Sequence, residues 1–122
     1  MYYHHSIRES SATRLYVLTE MFDQWAAEIP FTDGDLRGLQ EVLNADPTAG
    51  DTVPGAGGVR KIRATTKGRG KRGGARVIYY YVAPSETIYL LLVYAKGEWS
   101  DVSPEGRKLF KQLTRSLDEE RR

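Results

Sequence analysis

The run ETIYLLLVY at 86–94 is the strictest constraint on this chain. It is nearly continuously apolar, so it has no face to offer water, and it suits a central strand covered on both sides. The longest apolar stretch, 88–95, is far too short to span a bilayer. Two further β-rich segments precede it. ARVIYYYV at 75–82 is β-branched and aromatic and lies between Gly73-Gly74 and Pro84; VRKIRA at 59–64 is bounded by Gly57-Gly58 and by Thr66-Lys67-Gly68. Three successive strands are expected, with layers above and below the last of them.

Helical patterns flank this block. TRLYVL at 13–18 reads as a first strand. Thr19 or Glu20 then opens a helix over 21–28, with Phe22, Trp25, Ala26 and Ile29 on one stripe, ended by Pro30. Thr32-Asp33-Gly34-Asp35 caps a second helix over 33–44, whose Leu36, Leu39, Val42 and Leu43 fall at helical spacing, and Asp46-Pro47 stops it. A last helix starts with Ser103 as N-cap, Pro104 at the first position and Glu105 in the first turn, and carries Leu109, Leu113 and Leu117 at i+4. The order β-α-α-β-β-β-α gives an α+β fold with a small, mainly antiparallel sheet. The expected organisation is a flexible N-terminal arm over 1–12, one domain over 13–118 and a frayed tail over 119–122.

Charge is distributed unevenly. Residues 54–81 hold Arg60, Lys61, Arg63, Lys67, Arg69, Lys71, Arg72 and Arg76, eight cations and no carboxylate. The rest of the chain has 10 basic against 16 acidic residues, so the net +2 is a +8 patch on a −6 remainder. Such a patch points at a polyanion. Alternation puts Lys61 and Arg63 on one face of their strand, and Arg76, Ile78 and Tyr80 on one face of the next. If the strands pair, Arg76 can lie beside Lys61 and Arg63, with the register left open by sequence. TTKGRGKRGG between them is a cationic hairpin loop. In the run Tyr79-Tyr80-Tyr81 the middle ring opposes its neighbours, and which side is core stays open.

Several chemistries are poorly supported. There is no cysteine, and His4 and His5 are adjacent in the arm with no partner at ligand spacing. Gly55-Ala56-Gly57-Gly58 lacks the Lys-Ser/Thr of a phosphate loop and reads as a turn. No cofactor is expected. A soluble cytoplasmic protein without membrane contact is. Cutting RNA through its own 2′-hydroxyl needs a base, cations for the charge growing on phosphorus, and an acid for the leaving oxygen. Lys61, crowded by Arg63 and Arg76, is a candidate base, since like charge disfavours a protonated amine. Arg63 and Arg76 would grip phosphate with planar donors, and Lys96 is a second ammonium for the same patch. Tyr79, Tyr80, Tyr81 and Tyr94 could stack a base or donate a proton. The alternative is simple binding: cations holding an RNA backbone or an acidic protein surface, with no chemistry.

Four blocks carry a resemblance: Asp46-Pro47, PGAGGVRKIR (54–63), KRGGARVIYYYV (71–82) and IYLLLVYAKGEWSDVSPEG (88–106). In this order and spacing the chain resembles the RelE/HigB superfamily of bacterial type II toxins, the HigB-like branch in particular. The resemblance implies a RelE-like α+β fold and metal-independent cleavage of mRNA, usually on the ribosome. It also implies a cognate helix-turn-helix, HigA-like antitoxin. Carried over by position, it implies catalytic roles for Lys61, Arg63, Arg76 and Lys96, with Arg60, Lys67, Arg69, Lys71, Arg72, Tyr80 and Tyr94 contacting RNA. Where related toxins often carry an arginine and a later tyrosine, this chain has Gly97-Glu98 and Val102-Ser103. The acid is therefore open, with Tyr94, Glu98 and Asp101 as substitutes, and a nuclease-inactive RNA- or partner-binding module is the competing reading.

Overall fold

A computed structural model describes residues 6–9, 14–66, 74–97 and 102–120. Six strands form one sheet in the order β1-β2-β6-β5-β4-β3: β1 Ser6–Glu9, β2 Leu15–Leu18, β3 Asp51–Thr52, β4 Arg60–Ala64, β5 Ala75–Val82 and β6 Thr87–Ala95. Helices α1 (Glu20–Glu28) and α2 (Asp33–Ala45) follow β2, and α3 (Pro104–Glu120) closes the chain.

β6 is buried along its whole length, as its apolar sequence requires. Its residues divide between two cores. Ile88, Leu90, Val93 and Ala95 face the cluster under α1 and α2, with Tyr16, Phe22, Leu36, Leu39, Leu43, Val77 and Tyr79. Tyr89, Leu91, Leu92 and Tyr94 face the cluster under α3, with Val59, Ile78, Phe110 and Leu117. A simple alternation would not put Leu91 and Leu92 on the same side. The ladder explains it: Ile78 pairs with Leu92 and Tyr79 with Leu90, so Leu91 is an extra residue in β6, a bulge that shifts the facing of everything after it.

The sheet is mixed rather than mainly antiparallel throughout: β2 runs parallel to β6, while the other pairings are antiparallel. The parallel pair is compatible with the connectivity, since two helices and three strands separate β2 from β6 in the chain. Ser6–Glu9, inside the segment read as an arm, pairs with β2 as an edge strand, and β3 is a two-residue addition to β4. Neither has a periodic pattern long enough to be read from sequence.

Both early helices are capped as their sequences demand. Thr19 Oγ1 accepts from the Phe22 N–H at 3.1 Å and reaches the carbonyls of Leu90 and Leu91 at 3.0 and 3.2 Å, tying α1 to the bulge. Thr32 and Asp35 form a reciprocal capping box on α2. Phe22 and Phe31 meet edge to face, 6.0 Å between centroids. Two apolar positions expected inside are outside: Val42 is 49% exposed and Leu109 56%. On α3 the buried stripe runs Phe110, Thr114 and Leu117. Among the described residues no helix is long and apolar enough to cross a membrane.

Candidate nucleic-acid interface

β4 and β5 position the cationic side chains. Arg63 stands directly opposite Arg76, and Lys61 opposite Ile78. Direct cross-strand partners share a face with Cβ atoms about 4.5–5.5 Å apart. Ile78 belongs to the core under α3, so Lys61, Arg63 and Arg76 all stand on the α3 side of the sheet. The three residues that sequence could only place strand by strand are thus brought together by one register. Lys61 and Arg76 are half-buried and Arg63 is exposed. Arg76 Nη1 donates a long hydrogen bond, 3.4 Å, to the neighbouring Ala75 carbonyl. Asp51 is the cross-strand partner of Lys61 on β3.

Lys96 lies one residue beyond β6. Its N–H donates to the Gly74 carbonyl at 3.0 Å, extending the ladder, and the residue is exposed. Alternation past Tyr94, which pairs with Arg76, puts Lys96 on the same face as the three cations.

Other expected contacts do not assemble there. Arg60 points the opposite way, as the cross-strand partner of Tyr79. Its Nη1 donates to the carbonyls of Gly50 at 2.8 Å and Thr48 at 3.2 Å, so it clamps the loop after α2. Tyr94 is 1% exposed and forms part of the core beside Arg76, so it has no ring face for a base. Tyr80 shares the face of Arg76 but stands four residues along β5, roughly 13 Å away, and its hydroxyl donates to the Asp118 carboxylate at 3.0 Å. Of the tyrosine run, Tyr79 and Tyr81 turn toward α1 and α2, and Tyr80 toward α3. Lys67, Arg69, Lys71, Arg72, Glu98 and Asp101, with His4 and His5, lie outside the described residues.

Two tyrosines hold the scaffold behind the cluster. Tyr79 donates to the Pro47 carbonyl at 2.8 Å and accepts from the Gly50 N–H at 3.0 Å. Burial pushes its pKa up, with the Gly50 hydrogen bond and Arg60 partly opposing. Tyr16 donates to Asn44 Oδ1 at 2.5 Å, and burial raises its pKa from 10.0 to about 12 against the pull of Arg14. Asp46 is held below its ordinary 3.8 by hydrogen bonds from the Thr48 hydroxyl, 2.8 Å, and N–H, 2.9 Å. Tyr79 and Arg60 thus both grip the loop that Asp46-Pro47 opens, and β4 and β5 meet through the ladder.

A family model described as the RelE toxin of the RelE/RelB toxin–antitoxin system matches residues 13–121. The chain belongs to the RelE toxin family. As a RelE-family protein it is a toxin of a toxin–antitoxin system, paired with an antitoxin. Among the described residues of this RelE-family toxin, no three His, Asp or Glu gather as a metal site. The sequence draws the basic surface from 54–81 and Lys96. Left out are Arg107, Lys108, Lys111 and Arg115 on α3, although three of these recur at i, i+3 and i+7, a spacing visible in the sequence.

Proposed function

We propose that this RelE-family toxin is an endoribonuclease that cuts mRNA, on the ribosome, by attack of the ribose 2′-hydroxyl on the adjacent phosphate. The observation that carries the reading is the direct Arg63–Arg76 pairing with Lys61 on the same face. Toxins of this family are in general ribosome-dependent endoribonucleases, and the four blocks at 46–47, 54–63, 71–82 and 88–106, in that order and spacing, favour the HigB-like branch and a HigA-like antitoxin.

In this mechanism Arg63 and Arg76 hold the two non-bridging oxygens of the scissile phosphate with charge-assisted hydrogen bonds that strengthen as charge accumulates there. Lys61 accepts the 2′ proton. The 2′ oxygen bonds to phosphorus, the bond to the 5′ oxygen breaks, and Lys96 returns a proton to the departing alkoxide. The products are a 2′,3′-cyclic phosphate and a 5′-hydroxyl, with no redox change and no added reactant. Arginine suits the gripping positions because its planar fork matches two phosphate oxygens, which a lysine cannot do.

The test is expression in bacteria. Wild type arrests growth, and a Lys61→Ala/Arg76→Ala double variant, made at equal level, does not. Equal arrest by both, or none by either, contradicts the proposal. A competing reading, RNA binding without cutting, rests on the Gly97 and Val102-Ser103 departures. It predicts that the wild type binds RNA yet leaves mRNA intact.

A further inference from the structure

We propose that the exposed stripe Lys108, Lys111 and Arg115 on α3 is a second phosphate track, contiguous with the sheet cluster, that binds RNA backbone away from the scissile phosphate. The proposal rests on the RNA-cleaving reading and extends its footprint from one phosphate to several.

Three observations converge on it. The stripe lies on one side of α3, since positions i, i+3 and i+7 fall on the same helix flank. That flank is turned toward β4. A Cβ placed on Gly57, in the turn that delivers the chain into β4, would lie 2.8 Å from the Lys111 Cα. Lys61 stands four residues on from Gly57, on the sheet face that α3 covers. The cations of α3 and those of the sheet thus flank one common edge. Finally, all three stripe residues are exposed, and among the described residues no ion pair engages them. Toward the end of this flank, Asp118 accepts from Tyr80, and Glu119 stands exposed four residues beyond Arg115.

The spacing suits a polyanion. Lys108 to Arg115 spans about 10 Å of helix axis. A stacked strand carries one charge per ~3.4 Å, so three cations match about three phosphates. A protein partner is the less suitable occupant, because the stripe contains no large apolar residue. The exposed apolar surface of α3, Leu109 with Leu113, lies on the other flank against Thr19 and Met21.

Salt dependence measures the track directly. The probe is a 2′-O-methyl RNA strand of about twenty nucleotides, which cannot be cut because its nucleophile is blocked, alongside a duplex of the same sequence. Binding is followed by fluorescence anisotropy over a series of salt concentrations, for wild type, a Lys108→Gln/Lys111→Gln/Arg115→Gln variant and Arg76→Ala. The triple variant should bind at least tenfold more weakly at low salt. Its slope of log K against log [salt] should be shallower by about 2 on the single strand or by nearly 3 on the duplex, at ~0.7 and ~0.9 per contact. Loss on the single strand assigns the track to substrate flanking the cut; loss on the duplex alone assigns it to folded RNA. Arg76→Ala should change the slope by only about 0.7. Unchanged slopes on both probes, with circular dichroism showing both proteins folded, would overturn the proposal. So would unchanged RNA binding together with lost capture of the purified antitoxin, which would give the stripe to a protein. Because the probe is uncleavable, these results stand or fall independently of whether the wild type cuts mRNA.

Discussion

At the scale of single residues, two arginines three positions apart in sequence have opposite jobs. Arg60 faces the α2 side and holds the Thr48 and Gly50 carbonyls, whereas Arg63 faces the α3 side opposite Arg76. Arg60→Ala should cost about 1 kcal/mol of stability, read as a lower urea midpoint, and leave RNA affinity unchanged. Arg63→Ala should do the reverse. Sequence alternation contained this division, since 60 and 63 differ by an odd number, but composition alone groups both as cations. Tyr79→Phe removes a buried hydroxyl that serves Pro47 and Gly50, and should cost about 1–3 kcal/mol by leaving those groups unpaired. The tyrosines also set an alkaline limit. Tyr16 and Tyr79 have raised pKa values in the fold, so each contributes stability that is complete below about pH 10. For Tyr16 it is lost as pH climbs toward about 12. Urea midpoints measured from pH 8 to 12 should fall above pH 10, and Tyr16→Phe should flatten that fall while lowering the plateau. Asp46 acts in the opposite sense: with its pKa lowered, its contribution is present above about pH 4 and lost on further acidification.

At the scale of elements, the helices were legible and the edges of the sheet were not. Thr19, Thr32 and Ser103 are capping residues whose role depends on neighbours three positions away, and each holds the N–H expected of it. β1 and β3 are short and gain their pairing from neighbours distant in sequence. The bulge at Leu91 is likewise invisible in an apolar run where every residue is buried. It nevertheless decides that Tyr94 is part of the α3 core rather than of the opposite layer. Thr19 joins both kinds of information, as it caps α1 and bonds the carbonyls at the bulge. Thr19→Ala should therefore cost about 1–2 kcal/mol, at the upper end of N-cap losses, measured by chemical denaturation. The glycine turn is equally constrained. Gly57 has φ +75° and its missing Cβ would collide with Thr114 Oγ1 and the Lys111 backbone. Gly57→Ala combines backbone strain with overpacking and should lower the melting temperature by several degrees.

At the scale of the whole molecule, a −6 body carries a +8 segment, and the fold keeps part of that segment on one face. β4 and β5 present Lys61, Arg63 and Arg76 there, while Arg60 faces the α2 side and Tyr94 is buried. The charge pattern of the sequence pointed at a polyanion; only the register between β4 and β5 showed which cations meet. The central claim is that Lys61, Arg63 and Arg76 form one phosphate site that cleaves RNA through its 2′-hydroxyl. Its most direct test is end analysis of mRNA incubated with purified toxin and translating ribosomes. The account predicts fragments ending in 2′,3′-cyclic phosphate and beginning with 5′-hydroxyl, absent with Arg76→Ala. Fragments beginning with 5′-phosphate, or undiminished cutting by Arg76→Ala, would contradict it.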